Sequence, residues 1–248
     1  MRQSCRAVLT AEKKPVRMKL LILTDFHYYG EGKRGSISSR RGDLVPSLLD
    51  QIRTRETDCD AVAVLGDLIN DGTAPDARGN LHMLRERMDF NVPLIAIPGN
   101  HDSDPARFAE IFGEPKAFCV NGVRLIPFVD SYDADDVCTR DFRIMAQELA
   151  AIRPGEIAVT LQHNTILPEI RETYPYTPVR FREIHAAYRD AGVKLSLSGH
   201  FHPGIDPFIE DGVTYACIPA LCESPFRYAV ADITEDGINV ELRTVCLP

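Results

Sequence analysis

Five times along the chain an apolar run of strand character stops, and polar residues with metal-ligand chemistry follow at once. The runs are Leu20 to His27, Ala61 to Asp67, Leu94 to Asp102, Ile157 to His163 and Leu195 to His202. Between them the spacing of apolar positions predicts helices over about 44–55, with Asp43 as its cap, 79–89, 104–112, 139–152 and 179–191. Ala117 to Val120 and Val123 to Val129 flank Asn121-Gly122, a strong short-range hairpin signal. The tail reads as strands only, at 205–209, 213–218, 226–233 and 238–245, separated by Glu-Asp-Gly turns.

Strand and helix alternate through the first three runs, which implies helices packed on a sheet with parallel neighbours. Hairpin strands added to the parallel edges make mixed sheets. The expected fold is therefore α/β, with two mainly mixed β-sheets packed face to face as a sandwich and flanked by helices. In parallel neighbours the carboxyl ends share one edge, where ligands bind. One edge can then gather the ends of all five runs.

The 248 residues, 44 % of them apolar, suffice for one large core. Residues 18–248 are expected to form a single domain and residues 1–17 an extension outside it. A net charge of −8 and the lack of a basic stripe argue against nucleic acid as partner. The seven cysteines are spread without a Cys-x-x-Cys pair, which reads as a reduced, cytoplasmic protein. No run reaches the roughly 20 apolar residues of a membrane span, and the first 17 residues lack the apolar stretch of a secretory signal.

Collected from the strand ends, the candidate ligands are Asp25, His27, Asp67, Asn100, His163, His200 and His202, with His101 beside them. His200 and His202 stand two apart, so in extended chain both rings point the same way. Four imidazoles, two carboxylates and one amide oxygen are too many for one ion, and they suit two that share a carboxylate. Two divalent ions bring about four positive charges against two carboxylates. The remaining positive charge attracts phosphate and makes hydroxide available at neutral pH.

Asp25-Phe-His27, Gly66-Asp67, Gly99-Asn100-His101-Asp102, His163 and Gly199-His200-Phe-His202, in this order, resemble the five blocks of the calcineurin-like metallophosphoesterase superfamily. The resemblance implies that Asp25, His27, Asp67 and His202 hold one ion and Asp67, Asn100, His163 and His200 the other. It further implies manganese, iron or zinc as divalent or trivalent ions, a small phosphate monoester or diester as substrate, and in-line attack by a metal-bound hydroxide. His101 would protonate the leaving oxygen. Within the superfamily the pattern is nearest the cyclic-nucleotide phosphodiesterase type branch. It departs from that branch at Asn70, where an Asp is usual, and at Gln162-His163-Asn164, where a His-His-Pro run is usual. Relatives that cut DNA, or that keep the fold only as a protein-binding scaffold, supply the alternative functions.

Asn70 is also assigned to the catalytic set, because a carboxylate there would raise the pKa of a neighbouring His101 and an amide cannot. His101 is then expected to be a weaker acid catalyst unless Asp71 or Asp102 supplies that charge. His82 and His185 read as surface or packing residues, and Cys217 and Cys222 as core. Tyr28, Tyr29, Arg34, Tyr174 and Tyr176 fall in loops near the ligand edge, among segments 26–41, 164–178 and 219–225 that are expected to set specificity.

Overall fold

The computed structural model describes residues 16–102, 105–171 and 175–245. Its first sheet is built from β1 (Arg17–Leu23), β2 (Ala61–Val64), β3 (Leu94–Ala96), β12 (Arg227–Thr234) and β13 (Ile238–Thr244), in the order β13-β12-β1-β2-β3. The second takes β4 (Phe118–Val120), β5 (Val123–Pro127), β8 (Ile157–Leu161), β9 (Leu195–Ser198), β10 (Ile205–Glu210) and β11 (Val213–Cys217), in the order β10-β11-β9-β8-β5-β4. A small hairpin, β6 (Ser131–Tyr132) with β7 (Cys138–Thr139), stands apart from both. The first sheet is parallel over β1-β2-β3, with β3 at one edge and antiparallel β12 and β13 at the other, and the second is parallel over β5-β8-β9-β11, with antiparallel β4 and β10 at its edges.

Alternation along the strands separates three cores. Leu20 and Ile22 of β1, Ala61 and Ala63 of β2, and Ala229 and Ala231 of β12 face Leu125, Val159, Leu161 and Leu197 of the second sheet. The intervening Leu21, Leu23, Val62, Val64 and Val230 pack on the helix side. That side is covered by α1 (Val45–Arg55), α2 (Ala77–Arg87) and α3 (Pro105–Phe112) through Leu48, Leu49, Leu81, Leu84 and Phe108. The outer face of the second sheet, Ile126, Ala158 and Tyr215, is covered by α4 (Phe142–Ala150) and α5 (Phe181–Ala191) through Met145, Ile184 and Tyr188. Both faces of the central strands are thus buried, as parallel sheets require.

Several local expectations shift. Asp43 does not cap α1: a turn of 3-10 helix over Gly42–Leu44 precedes it, and the Asp43 carboxylate takes two hydrogen bonds from Arg41, each 2.9 Å. The helix expected from 139 starts at Phe142, where Asp141 caps the backbone N–H groups of Arg143 and Ile144, and Cys138–Thr139 belongs to β7. Asn121 and Gly122 both adopt positive φ, 51° and 84°, as a two-residue hairpin turn requires. Of the expected extension, residues 1–15, Cys5 among them, lie outside the described residues. Val16 is buried between the sheets and Arg17 opens β1, so these two residues of the expected extension belong to the fold. Asp104, Tyr174 and Cys246 also lie outside the described residues.

Candidate metal centre

The carboxyl ends of β1, β2, β3, β8 and β9 open on one edge, and the loops leaving them bring the expected donors together. Asp67 stands in the middle. Its Oδ2 lies 3.5 Å from His27 Nε2 and 3.3 Å from His163 Nε2, while its Oδ1 accepts the His101 backbone N–H at 2.9 Å. On one side Asp25 Oδ1 is 3.8 Å from His27 Nε2 and 3.4 Å from His202 Nε2, and the two imidazole Nε2 atoms are 3.0 Å apart. On the other, the rings of His163 and His200 lie 4.8 Å apart, centroid to centroid. Asp25, His27 and His202 form one group whose ligand atoms converge within 4.8 Å, and Asp67, His163 and His200 form a second.

The backbone is bent to do this. Asp25, His27, Asp67 and His200 have φ of 54°, 41°, 55° and 66°, a left-handed conformation that non-glycine residues seldom adopt and that costs about 1–3 kcal/mol each where it is strained. Close approach does the rest. A side chain at Gly99 would strike the Asp67 carboxylate, and one at Gly199 would strike Thr24 and Asp25.

Whether cations fit there can be tested on the donors themselves. Asp25 Oδ1, Asn100 Oδ1 and His163 Nε2 are buried side-chain atoms without a hydrogen-bond partner. They come from three separate loops. His163 Nε2 lies near Asp67 but is not aligned as a hydrogen bond, so attraction between the two is that of an ion pair. Unmet buried polar atoms are rare because each one costs about 1–3 kcal/mol. Three of them in one donor set fit a bound cation.

Protonation follows the same logic. Burial alone would raise the Asp67 carboxyl, but His163, then His27 and His101, hold it well below the usual carboxylate range. Asp25 is likewise held low against burial by His202 and His163. Burial disfavours charge on His163, yet Asp67 pushes it up to about 10. His202, opposed by burial but paired with Asp25 and Glu223, rises to about 9. His200 is pushed down to about 3 by burial and by the charge on His163, and burial takes His27 well below its usual value. The two raised imidazoles, His163 and His202, each face a carboxylate that is held low, one in each three-residue group.

Other atoms orient the ligands. His163 Nδ1 donates to the Leu65 carbonyl at 2.6 Å, and His202 Nδ1 meets Glu223 Oε1 at 2.9 Å. Both turn Nε2 toward the centre, the usual arrangement around metal-ligating histidine. Arg40, in a short basic pair that reads as solvated loop, and Glu223, which carries no motif, both reach the site, where a backbone bridge joins their two loops.

His101 hydrogen-bonds to main chain rather than to a carboxylate. His101 Nδ1 lies 2.7 Å from the backbone oxygen of Asn70, so the main chain at position 70 meets this ring. The Asn70 side-chain oxygen faces Arg40 instead, 3.5 Å from NH1. Asp102 does not serve His101 either. Its buried carboxylate accepts the N–H groups of Leu68, Ile69 and Gly99 at 3.0, 3.1 and 2.9 Å, tying the Asp67 loop to the Asn100 loop. Burial and the nearby Asp67 push it up to about 7. Asp71 accepts from Thr73 within its own turn.

The donors open into a cleft of about 340 Å³ lined also by Ile37, Arg40, Asp136, Tyr176 and Pro203. Tyr176, from one of the expected specificity loops, packs its ring against His200 and Phe201. His185 has partners after all, the Tyr215 hydroxyl and Asp211, on the far side of the second sheet. Cys217 and Cys222 are buried, as expected of core thiols, although Cys222 adjoins His202 and Glu223.

Residues 18–204 match the calcineurin-like phosphoesterase family. The chain is 29 % identical over 225 residues to the 3',5'-cyclic adenosine monophosphate phosphodiesterase CpdA of Haemophilus influenzae, covering 85 % of this chain and 78 % of that one. It is 25 % identical over 210 residues to the DNA double-strand break repair protein Mre11 of Sulfolobus acidocaldarius, with 79 % and 52 % covered. A dimetal phosphatase from Danio rerio has the same fold, with a TM-score of 0.76 at 15 % identity, over 93 % of this chain and 97 % of that one. With a family match that spans the strand-end blocks, the chain belongs to the calcineurin-like phosphoesterase family and is a metal-dependent phosphoester hydrolase.

Proposed function

We propose that the chain hydrolyses a small phosphate ester at a two-ion centre, with Asp25, His27 and His202 holding one ion, Asn100, His163 and His200 the other, and Asp67 shared between them. The observation that carries this reading is the set of unpartnered buried atoms, Asp25 Oδ1, Asn100 Oδ1 and His163 Nε2, around a carboxylate that faces both His27 and His163. The imidazole-rich donor set suits manganese, iron or zinc over magnesium or calcium. When bound, such ions supply Lewis acidity toward a phosphoryl oxygen and toward water.

The chain's own residues do the rest. His101 lines the cleft, and with Nδ1 donating to the Asn70 carbonyl its Nε2 is the nitrogen left to hand a proton to a leaving oxygen. Asp67 fixes the His101 backbone through its N–H. The small cleft, with Arg40 as the one guanidinium or ammonium among its described lining residues, supports a small ester over a nucleic-acid strand. A cyclic nucleotide is the second reading, favoured by the likeness to CpdA. The five described cysteines are free thiols, which supports a cytoplasmic setting, and no helix among the described residues is long and apolar enough to cross a membrane.

The test is hydrolysis of matched aryl phosphate monoesters and diesters, and of cyclic AMP, with added manganese, iron or zinc, and with Asp67→Ala as control. Metal-dependent turnover that Asp67→Ala abolishes is expected. Metal binding without turnover of any of the three would favour the scaffold reading.

A further inference from the structure

We propose that Arg40 anchors the phosphoryl group of the substrate and tilts the site toward phosphomonoesters over diesters, an inference that rests on the two-ion phosphoesterase reading above. Arg40 ends the loop that leaves β1, and three backbone contacts bring it back to the centre. It bridges to Glu223. The next residue, Arg41, donates its N–H to the Cys222 carbonyl at 2.6 Å. Gly42 lies so close to the His27 carbonyl that any side chain there would collide with it. The guanidinium is thereby held on the cleft wall beside His101 and His202.

Its NH1 is 3.5 Å from His27 Nδ1 and 3.5 Å from Asn70 Oδ1. The first contact cannot be a hydrogen bond once an ion is present. His27 turns Nε2 toward Asp25, Asp67 and His202, so a neutral, ligating ring keeps its proton on Nδ1, and arginine has only donors to offer. The contact to Asn70 is at the long end of the hydrogen-bond range. Arg40 also meets the Tyr29 hydroxyl, and with both NH1 contacts weak the cleft-lining guanidinium keeps donor capacity that an oxyanion would take up.

Charge decides which ester gains most. Two divalent ions beside Asp25 and Asp67 leave about two positive charges, and Arg40 adds one more on the same wall. A phosphomonoester brings a charge of about −2 at neutral pH and a diester brings one charge fewer. Asp136, the other carboxylate lining the cleft besides Asp67, lies near Asn100 on the tip of the β6-β7 hairpin and repels an anion there. The terminal phosphate is accordingly directed to the Arg40 wall.

The test compares metal-loaded wild type, Arg40→Ala, Arg40→Gln and Arg40→Lys by three readouts: metal content by mass spectrometry, calorimetric titration of inorganic phosphate, and kcat and KM on nitrophenyl phosphate and its bis-nitrophenyl diester. Both ions should be retained in all variants. Phosphate should bind Arg40→Ala about tenfold or more weakly, as expected on losing a charge-assisted contact. The monoester-to-diester ratio of kcat/KM should fall by about tenfold, mainly through KM, with partial recovery in Arg40→Lys. Unchanged phosphate affinity, equal losses on the two esters, or loss of metal from Arg40→Gln and Arg40→Lys alike would overturn the proposal. Should wild type hydrolyse neither of these esters nor cyclic AMP, the hydrolase reading falls, and the phosphate titration still decides for or against Arg40.

Discussion

Two clusters of charge are buried in this molecule, and they are built to opposite rules. Asp130 and Arg140, both almost wholly buried, form a two-pronged ion pair in which Arg140 Nε and NH2 each donate to the carboxylate. NH1 donates to the Tyr188 hydroxyl at 2.7 Å, Tyr188 donates to Gln162 Oε1 at 3.1 Å, and Gln162 donates to Ser196 Oγ and the Leu197 carbonyl at 2.9 and 2.8 Å. The Phe128 ring closes over the guanidinium, 4.3 Å from its carbon. Each donor is answered by an acceptor. Around Asp25 and Asp67, by contrast, buried atoms of Asp25, Asn100 and His163 go unanswered. The Asp25 and Asp67 carboxylates are as buried as the Asp130–Arg140 pair, so burial alone does not mark a site. What marks it is polar capacity left unspent.

The comparison is broken most severely by Asp67→Ala. Turnover should fall by about a thousandfold or more, equivalent to about 4 kcal/mol of transition-state stabilisation, and metal-free stability should fall as well, because Asp67 accepts the His101 N–H and balances the charge of the buried His163. Steady-state kinetics and urea unfolding with chelator present measure the two. Arg140→Met should spare the metal centre. It strands the buried Asp130 and should cost about 3–5 kcal/mol in urea unfolding, while the protein that remains folded keeps its metal stoichiometry.

Glu223→Gln sharpens the contrast within the site. It weakens the acceptor that orients His202, so calorimetry should show one of the two ions bound about 10- to 100-fold more weakly. His163, held by the Leu65 carbonyl, should keep the other. Equal loss at both sites would contradict this.

The smallest effect is that of pH. His163 and His202 are raised to about 10 and about 9 in the metal-free protein, so their contribution to stability is fully present below the unfolded imidazole value of about 6.5 and is lost as pH rises through the folded values. A chelated sample should therefore melt lower at pH 10 than at pH 7. The difference should shrink in the metal-loaded protein, where ligation has already removed those protons.

Side chains at the ends of strands were legible in the sequence, because an apolar run followed by a donor carries both the strand and the direction it delivers. The sandwich was legible for the same reason, from the alternation in β1, β2 and β12 that divides two cores. Backbone roles were not. Position 70 was chosen for its side chain, yet its carbonyl meets His101, and a carbonyl is the same in every residue. Asp102 looked like a partner for a catalytic ring and proves to join loops. The β6-β7 hairpin was missed because two-residue strands show no period. Arg40 and Glu223 were missed because loops far apart in sequence set them side by side, which local patterns do not encode.

The three amide hydrogen bonds to Asp102 carry a consequence for how the donors move. They yoke the second and third donor loops into one body. Whatever displaces Asp67 therefore carries Asn100 with it, and a substitution in either loop reaches both halves of the centre.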